Sequence, residues 1–464
     1  MVNISTWKEL YDAFVIQNTL DSEYNLVDNI DIKTDDPTTW PWVSKDLLGT
    51  AAARIKINGN GHRIGSKKKP LTEPLFINLG YADIDNLQVF TAINDDIGIY
   101  SVAGAIAGHA ANCSFSKITV SGRISAAEAD YCGGVAGEAV SCEFISCANN
   151  ADLTNNHADA YAAGIAGAAT TGALYSCKNT GDIEGTNAGG ITGLTVSSRV
   201  ISCQNSGLLN ESAAFTSTLA GISAIVQESS EILDNINSGY IGTDKSTAVY
   251  LSGGIIGSIS SAAAGTFITV SNNVNICTVF GYSAGGIIGY VDSEVYGTIN
   301  ITQNDDLGDV TAIAIAGGII GGEYSRPANS YVANNRVCAN KIETTDTTGG
   351  NMGGLIGTIS TSVTYPKEVS NNYVRIKNLL GSTSITHWMI GLNGGAEDIF
   401  SDNYYDDADS TTTPSPIDCT ASELCGDPID PDAHTLPVGD SLSNCMRAVW
   451  DETDCGTTGQ SSAS

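Results

Sequence analysis

The chain has 464 residues, 42% hydrophobic and only 16% charged, which is too apolar and too weakly charged for a disordered polymer. Its 51 Asp and Glu against 21 Lys and Arg give a formal charge of −30, a field that repels nucleic-acid phosphates and anionic lipid headgroups. No stretch reaches the roughly eighteen apolar residues of a membrane helix, and Met1-Val2-Asn3-Ile4-Ser5 opens no basic-then-apolar leader, so neither membrane insertion nor a visible signal peptide is expected.

At the N-terminus, Thr6-Trp7-Lys8-Glu9 fits a capping box, and Trp7, Leu10, Tyr11 and Phe14 share one helical face. An amphipathic helix over residues 5–17 is expected, its apolar stripe plugging the end of whatever follows. Residues 24–32 read as an opening strand, and Arg54 to Ile64 as two strands around the Gly59-Asn60-Gly61-His62 turn, with His62 a structural member of it. The one basic run, Lys67-Lys68-Lys69 before Pro70, reads as a solvated loop.

From residue 103 onward one short motif returns: Ala103-Gly104-Ala105-Ile106-Ala107-Gly108, Gly133-Gly134-Val135-Ala136-Gly137 and Ala163-Gly164-Ile165-Ala166-Gly167 open the series. Gly253-Gly254-Ile255-Ile256-Gly257 and Gly285-Gly286-Ile287-Ile288-Gly289 carry it in its fullest form, and Ile390-Gly391-Leu392 is a degraded last copy. Counted between second residues of the motif, the steps are 30, 30, 26, 31, 33, 32, 32, 36 and 37, a true internal period. A second motif follows in phase about a dozen residues later, as in Ser146-Cys147-Ala148-Asn149-Asn150, Ser176-Cys177-Lys178-Asn179 and Ser271-Asn272-Asn273.

The segments between motifs are short and rich in Val, Ile, Thr and Tyr. Thr266 to Val270 and Gly297 to Ile301 alternate in the manner of strands, and no 3.6-residue apolar stripe runs through them. A strand unit of about thirty residues cannot bury its apolar face alone, whereas stacked copies enclose a continuous core. The expected fold is all-β: a right-handed parallel β-helix, a solenoid of about ten to twelve coils, roughly 50 to 60 Å long, with an N-terminal amphipathic capping helix. Residues 1–45 would be the cap, 46–405 the β-helix, and 406–464 an acidic tail containing Pro and Cys. The glycines are expected either to supply positive φ at coil corners or to let chain segments approach closely.

Twelve cysteines fall into two groups. Eight lie in the repeats, where Cys147, Cys177 and Cys203 share one phase and read as stacked small core residues. Cys419, Cys425, Cys445 and Cys455 crowd the tail without zinc-site spacing and read as disulfide-forming, which favours an oxidising compartment.

The order of helix, Leu26-x-x-Asn29-Ile30-Asp31-Ile32, a Trp-containing loop with Leu48-Gly49, Ile57-x-Gly59-Asn60-Gly61-His62-x-Ile64 and repeated Gly-Gly-Ile/Leu-Ile-Gly units resembles the GLUG-repeat branch of the pectin-lyase-like β-helix proteins. The resemblance covers residues 1 to about 405, and Asp402-Asn403-Tyr404-Tyr405-Asp406 is similar to the family's closing rung. Several units depart from it by carrying Ala for the first glycine, and the tail lies outside it. It implies a surface protein, an adhesin or fibre component, with catalysis absent or carried by another domain.

No catalytic constellation stands out. Asp305-Asp306 with Asp309, and Arg375-Ile376-Lys377 farther on, are the candidates for the paired carboxylates and cation of a polysaccharide hydrolase, but no matching histidine motif lies between them. The competing reading places these acids in a solvated turn. The five histidines are scattered, and neither the H-E-x-x-H zinc signature nor a Gly-x-Ser-x-Gly elbow occurs. No cofactor is expected; calcium is the one ion that acidic corners suit, although the Gly-Gly-x-Gly-x-Asp calcium repeat is absent.

The leading functional expectation is a non-enzymatic scaffold or adhesin, a rigid β-helical rod in an extracellular, cell-surface or virion assembly. Its partners would be glycans, a cell-surface receptor or copies of itself, with Tyr250, Tyr282, Tyr290, Tyr296 and Tyr324 read either as stacking positions for sugars or as core and corner packing. A polysaccharide-degrading lyase or hydrolase and a purely structural lattice component are the alternatives.

Overall fold

The computed structural model describes residues 1–17, 23–31, 43–95, 101–211, 217–242, 249–292, 295–323, 330–345, 350–359, 367–380, 385–387, 390–393, 399–401, 403–406 and 427–428. The chain is an all-β parallel solenoid of about 10 turns with one short N-terminal helix. It divides into two units, Met1–Ile225 and Val226–Ser464. No helix among the described residues is long and apolar enough to cross a membrane.

One coil of the first unit shows how the sequence makes a turn. Strand Tyr131–Gly133 ends at a corner, Gly134-Val135; Ala136–Val140 follows, then a corner at Ser141-Cys142. Glu143–Ile145 leads to a third corner, Ser146-Cys147, and Ala148–Asn155 completes the coil. Each strand pairs in parallel with its counterparts in the neighbouring coils, so like residues form columns. Ile57, Ile84, Phe115, Phe144, Leu174 and Val200 are one such column in the first unit, all buried. Phe115 and Phe144 stack face to face within it, with centroids 4.8 Å apart. In the second unit Ile232, Val270, Ile301, Val332 and Val369 occupy the same kind of column. Burying each such side chain is worth about 1.5–3 kcal/mol, so the core grows by accumulation along the stack.

The glycine motif spans a corner between two strands. Its first glycine ends one strand, the second sits in the corner, and the third lies in the next strand. Register also corrects the motif's phase at both ends. Gly104 pairs with Gly133 rather than Gly134, and His387 stands opposite Gly353, so that Gly391 matches the third glycine of its unit.

Of the two roles expected for these glycines, close approach is the one the motif uses. Its members keep negative or extended φ, and the left-handed corner conformation falls instead to Ser146, Ser176 and Ser202 in the first unit and Asn272, Asn334 and Asn371 in the second, at φ 52–57°. These are the residues just before the Cys and Asn rungs, types whose short polar side chains tolerate that conformation.

At the N-terminus, Thr6 and Glu9 form the expected reciprocal capping box. The helix differs from expectation: Trp7–Tyr11 is α-helical and Asp12–Gln17 widens to a π-helix. Trp7, Leu10 and Phe14 are buried, and Phe14 packs on the rings of Tyr24 (4.9 Å) and Phe76 (5.3 Å), covering the first coil. The Gly59–His62 turn is local structure as expected: Asn60 takes φ 52°, its Nδ2 donates to the Leu26 carbonyl at 2.8 Å, and the His62 amide donates to Gly59.

Candidate functional site

Three places were singled out by the sequence or emerge from the coils: the polar columns that contain the acidic candidates, the tyrosines, and a lateral groove.

The Asn motif supplies two buried columns. In the first unit, Asn149 donates through Nδ2 to Asn179 Oδ1 and Asn179 to Asn205 Oδ1, both at 2.8 Å. Each also donates to the carbonyl two residues on, Ala151, Gly181 and Gly207 respectively. In the second unit the same position holds Asn237, Asn275 and Asp306, linked at 2.9 Å. A second column there, Asn273, Asn304, Asn335, Asn372 and Asn403, is joined at 2.9–3.0 Å. In the first unit that corner is held by Cys147, Cys177 and Cys203 instead, all buried free thiols as expected. Burial pushes the Cys147 and Cys177 thiols well above the ordinary range. Cys338, also a repeat cysteine, is disulfide-bonded; the four tail cysteines lie outside the described residues.

Asp305, Asp306 and Asp309 are therefore not in a solvated turn. Asp305 is 5% exposed and grips the Arg336 guanidinium, accepting from Nε at 3.1 Å and from Nη2 at 2.6 Å. Burial raises its carboxyl above the usual range, with Arg336 pulling the other way. Asp306 is fully buried in the amide column. Asp309 accepts from the Lys341 amide at 2.9 Å, and burial raises its carboxyl as well. The three acids lie close in sequence, yet the first is occupied by an arginine and the second faces the core. Arg375 is half-buried, and the Lys377 side chain lies outside the described residues. Among the described residues no three acidic, His or Cys side chains converge as metal ligands.

Of the tyrosines, Tyr250 and Tyr282 stack on each other, with centroids 5.6 Å apart and planes 20° from parallel, and remain 51% and 41% exposed. Tyr296 is exposed, Tyr290 half-buried, and Tyr324 outside the described residues.

The feature that sequence reasoning missed is a groove of about 380 Å³ on the side of the first unit. It runs across the column Ser114, Glu143, Ala173 and Arg199, the outward first residues of four stacked strands. Its floor is low because Ser114, Gly172 and Ala173 are small, and a Cβ on Gly172 would meet the Cys142 carbonyl at 2.5 Å. At one end Arg54 donates through Nε to Asp83 (2.9 Å) and through Nη1 to the Asn112 carbonyl (2.9 Å). At the other, the Arg199 guanidinium lies 5.8 Å over the Tyr175 ring. The Ser141 and Thr171 hydroxyls, 2.9 Å apart, line it between.

This lining has donors at both ends, hydroxyls along its length and one exposed carboxylate, Glu143, with no large apolar wall. Such a lining can offer hydrogen bonds to a polar ligand, and the Tyr175 ring carries the Arg199 guanidinium at its end of the groove. The two cysteines on the wall turn their thiols to backbone carbonyls, Cys113 to those of Ala111 and Leu79 and Cys142 to that of Val140. Arg54 and Arg199 stand far apart in the sequence, and only the stacking of coils brings them to one groove. No residue pattern signals it.

No protein-family model matches the chain, and no curated protein does. Among solved structures it is similar to an IgA1 protease, at 17% identity over 59% of this chain with a TM-score of 0.40; this chain spans 22% of that one. It is also similar to a candidate immunoglobulin A1 protease from Bacteroides ovatus, at 14% identity over 77% of this chain and 84% of that one, with a TM-score of 0.26.

Proposed function

We propose that this chain is a non-enzymatic surface scaffold of the GLUG-repeat type whose lateral face binds a glycan. The observation that carries the reading is the groove between Arg54 and Arg199, a shallow polar trough floored by small residues across successive coils. Spacing between coils is about 4.8 Å, so an extended glycan laid along the groove passes Ser114, Glu143, Ala173 and Arg199 in turn. The disulfide at Cys338 supports an oxidising, extracellular setting.

The sequestration of Asp305 against Arg336 and of Asp306 in the core supports binding over hydrolysis, since paired carboxylates for glycoside cleavage must flank an accessible bond. The test is a panel of neutral and acidic polysaccharides with wild-type protein and the variants Arg199→Ala and Tyr175→Ala. Retention of at least one glycan, weakened roughly tenfold by either substitution, is the expected result. Binding unaffected by both variants would move the site elsewhere, and no binding across the panel would overturn the reading.

A further inference from the structure

In the second unit's first amide column, the residue at the last polar rung is an acid. Asn237 and Asn275 each do what Asn149 and Asn179 do in the first unit: Nδ2 donates one hydrogen to the side-chain oxygen of the rung above and the other to the carbonyl two residues on. Asp306 reproduces the acceptor half of this pattern. Its Oδ1 accepts from Asn275 Nδ2 at 2.9 Å and from the Gly308 amide at 3.2 Å, as Asn237 Oδ1 accepts from the Gly239 amide at 3.1 Å. Its Oδ2 takes the place of an amide nitrogen, is fully buried, and has no donor facing it. The rung above is Val337, which offers no acceptor.

An asparagine here would carry two N–H groups, one of them orphaned beneath Val337. A carboxylic acid carries one proton, and the Gly308 carbonyl is the counterpart of the acceptor used in every lower rung. We infer that Asp306 enters the fold as a neutral carboxylic acid whose Oδ2–H closes the column on the Gly308 carbonyl, making the second unit a structure that tightens in acid and loosens as pH rises.

The surroundings agree. On its own coil Asp306 has Asp305 and Asp309, whose negative charges oppose a third. On the coil above, the Arg336 guanidinium is taken up by Asp305 and Lys341 pairs with Glu343. On the coil below, Val274 and Asn275 pair with Asp305 and Asp306 and neither titrates, and the corner packed against the carboxyl is Gly286, whose added Cβ would lie 2.1 Å from Oδ2. Burial is the largest influence on the carboxyl and raises its proton affinity well above the ordinary range.

A group whose folded pKa lies above its unfolded value contributes stability fully present below the unfolded value, near 3.8, and lost as pH rises toward the folded one. Within that window each pH unit shifts the unfolding equilibrium of the second unit roughly tenfold toward the open form.

The test uses the full chain and Asp306→Asn, unfolded in urea from pH 4 to pH 8. The wild type is expected to lose stability relative to the variant as pH rises, with the variant weaker at pH 4, where its second N–H is orphaned, and the two curves crossing above. Parallel curves would overturn the inference. Should Asp306→Asn not fold, Asp306→Leu serves as the reference, and the infrared spectrum of the wild type at pH 6 must show a protonated-acid carbonyl band; its absence would overturn the inference independently.

Discussion

A Cβ placed on Gly164 would lie 2.6 Å from both Cγ and Oδ1 of Asn179, and 2.4 Å from the Gly190 carbonyl of the next coil. The same contact joins Gly134 to Asn149, Gly190 to Asn205 and Gly254 to Asn275. The two sequence motifs that recur in phase are therefore the two sides of one packing unit: these four glycine corners lie flat on amides of the buried column, as Gly286 lies on Asp306.

Gly164→Ala accordingly requires backbone of two coils and a hydrogen-bonded amide to move together. It should destabilise the first unit by about 3 kcal/mol or more, at the upper end for overpacking. Gly80→Ala is the control, because its Cβ would press on the flexible end of Leu48 at 3.2 Å and meet backbone no nearer than the Leu48 Cα at 3.9 Å. Urea midpoints of the two variants should differ clearly; equal midpoints would refute the contact.

Removing an amide from mid-column breaks bonds on both sides. Asn179→Ala deprives Asn149 Nδ2 of an acceptor and leaves the Gly181 carbonyl without its donor. At about 1–3 kcal/mol for each orphaned buried group, a loss of roughly 2–5 kcal/mol is expected. Asn150→Ala, on the exposed side of the same strand, should stay within about 0.5 kcal/mol.

The sequence revealed the period, the strand character, the capping box at Thr6 and the stacking of Cys147, Cys177 and Cys203, because each depends on residues near in the chain or on the repeat itself. It did not reveal that the glycine corner faces the Asn column, since a period of about thirty residues says which residues lie above one another but not which face across the coil. The burial of the acids at 305 and 306 is not legible in the sequence for a related reason: an Asp in an Asn-rich corner looks like a turn residue, and only register shows that Asp306 stands in line with Asn237 and Asn275. The groove was illegible because Arg54 belongs to a coil that precedes the recognisable repeats.

The Asp305–Arg336 pair is 7% and 13% exposed at its side chains. Arg336→Met leaves a buried carboxylate without its partner and should cost about 3–5 kcal/mol at neutral pH. The cost should shrink in acid, because Asp305, relieved of Arg336, takes up a proton more readily. Denaturation of wild type and variant at pH 7 and pH 4 measures the difference.

Capping at the N-terminus can be tested separately. Thr6→Ala removes the acceptor for the Glu9 amide and should cost about 1 kcal/mol. Hydrogen bonds from Ser5 and Thr6 hold the Glu9 carboxyl below its ordinary value of 4.5. Its contribution is thus present above that pH and fades as pH falls below it, which a thermal unfolding series from pH 7 to pH 3 would detect against Glu9→Gln.

Four thiols of the first unit, Cys132, Cys147, Cys177 and Cys203, should be inert while it is folded. Cys132 is fully buried and its thiol is pushed up to about 12, so thiolate is scarce near neutrality. Alkylation at pH 8 should leave Cys132, Cys147, Cys177 and Cys203 unmodified in native protein and label them all in urea, as read by peptide mass mapping.

Whether the coils hold a glycan or cut it is decided most directly by the chain length of a retained polysaccharide after prolonged incubation with the protein. Retention at the groove with an unchanged size distribution is the predicted result. Progressive shortening that disappears in Asp305→Ala or Asp306→Ala, in variants shown to remain folded, would contradict it.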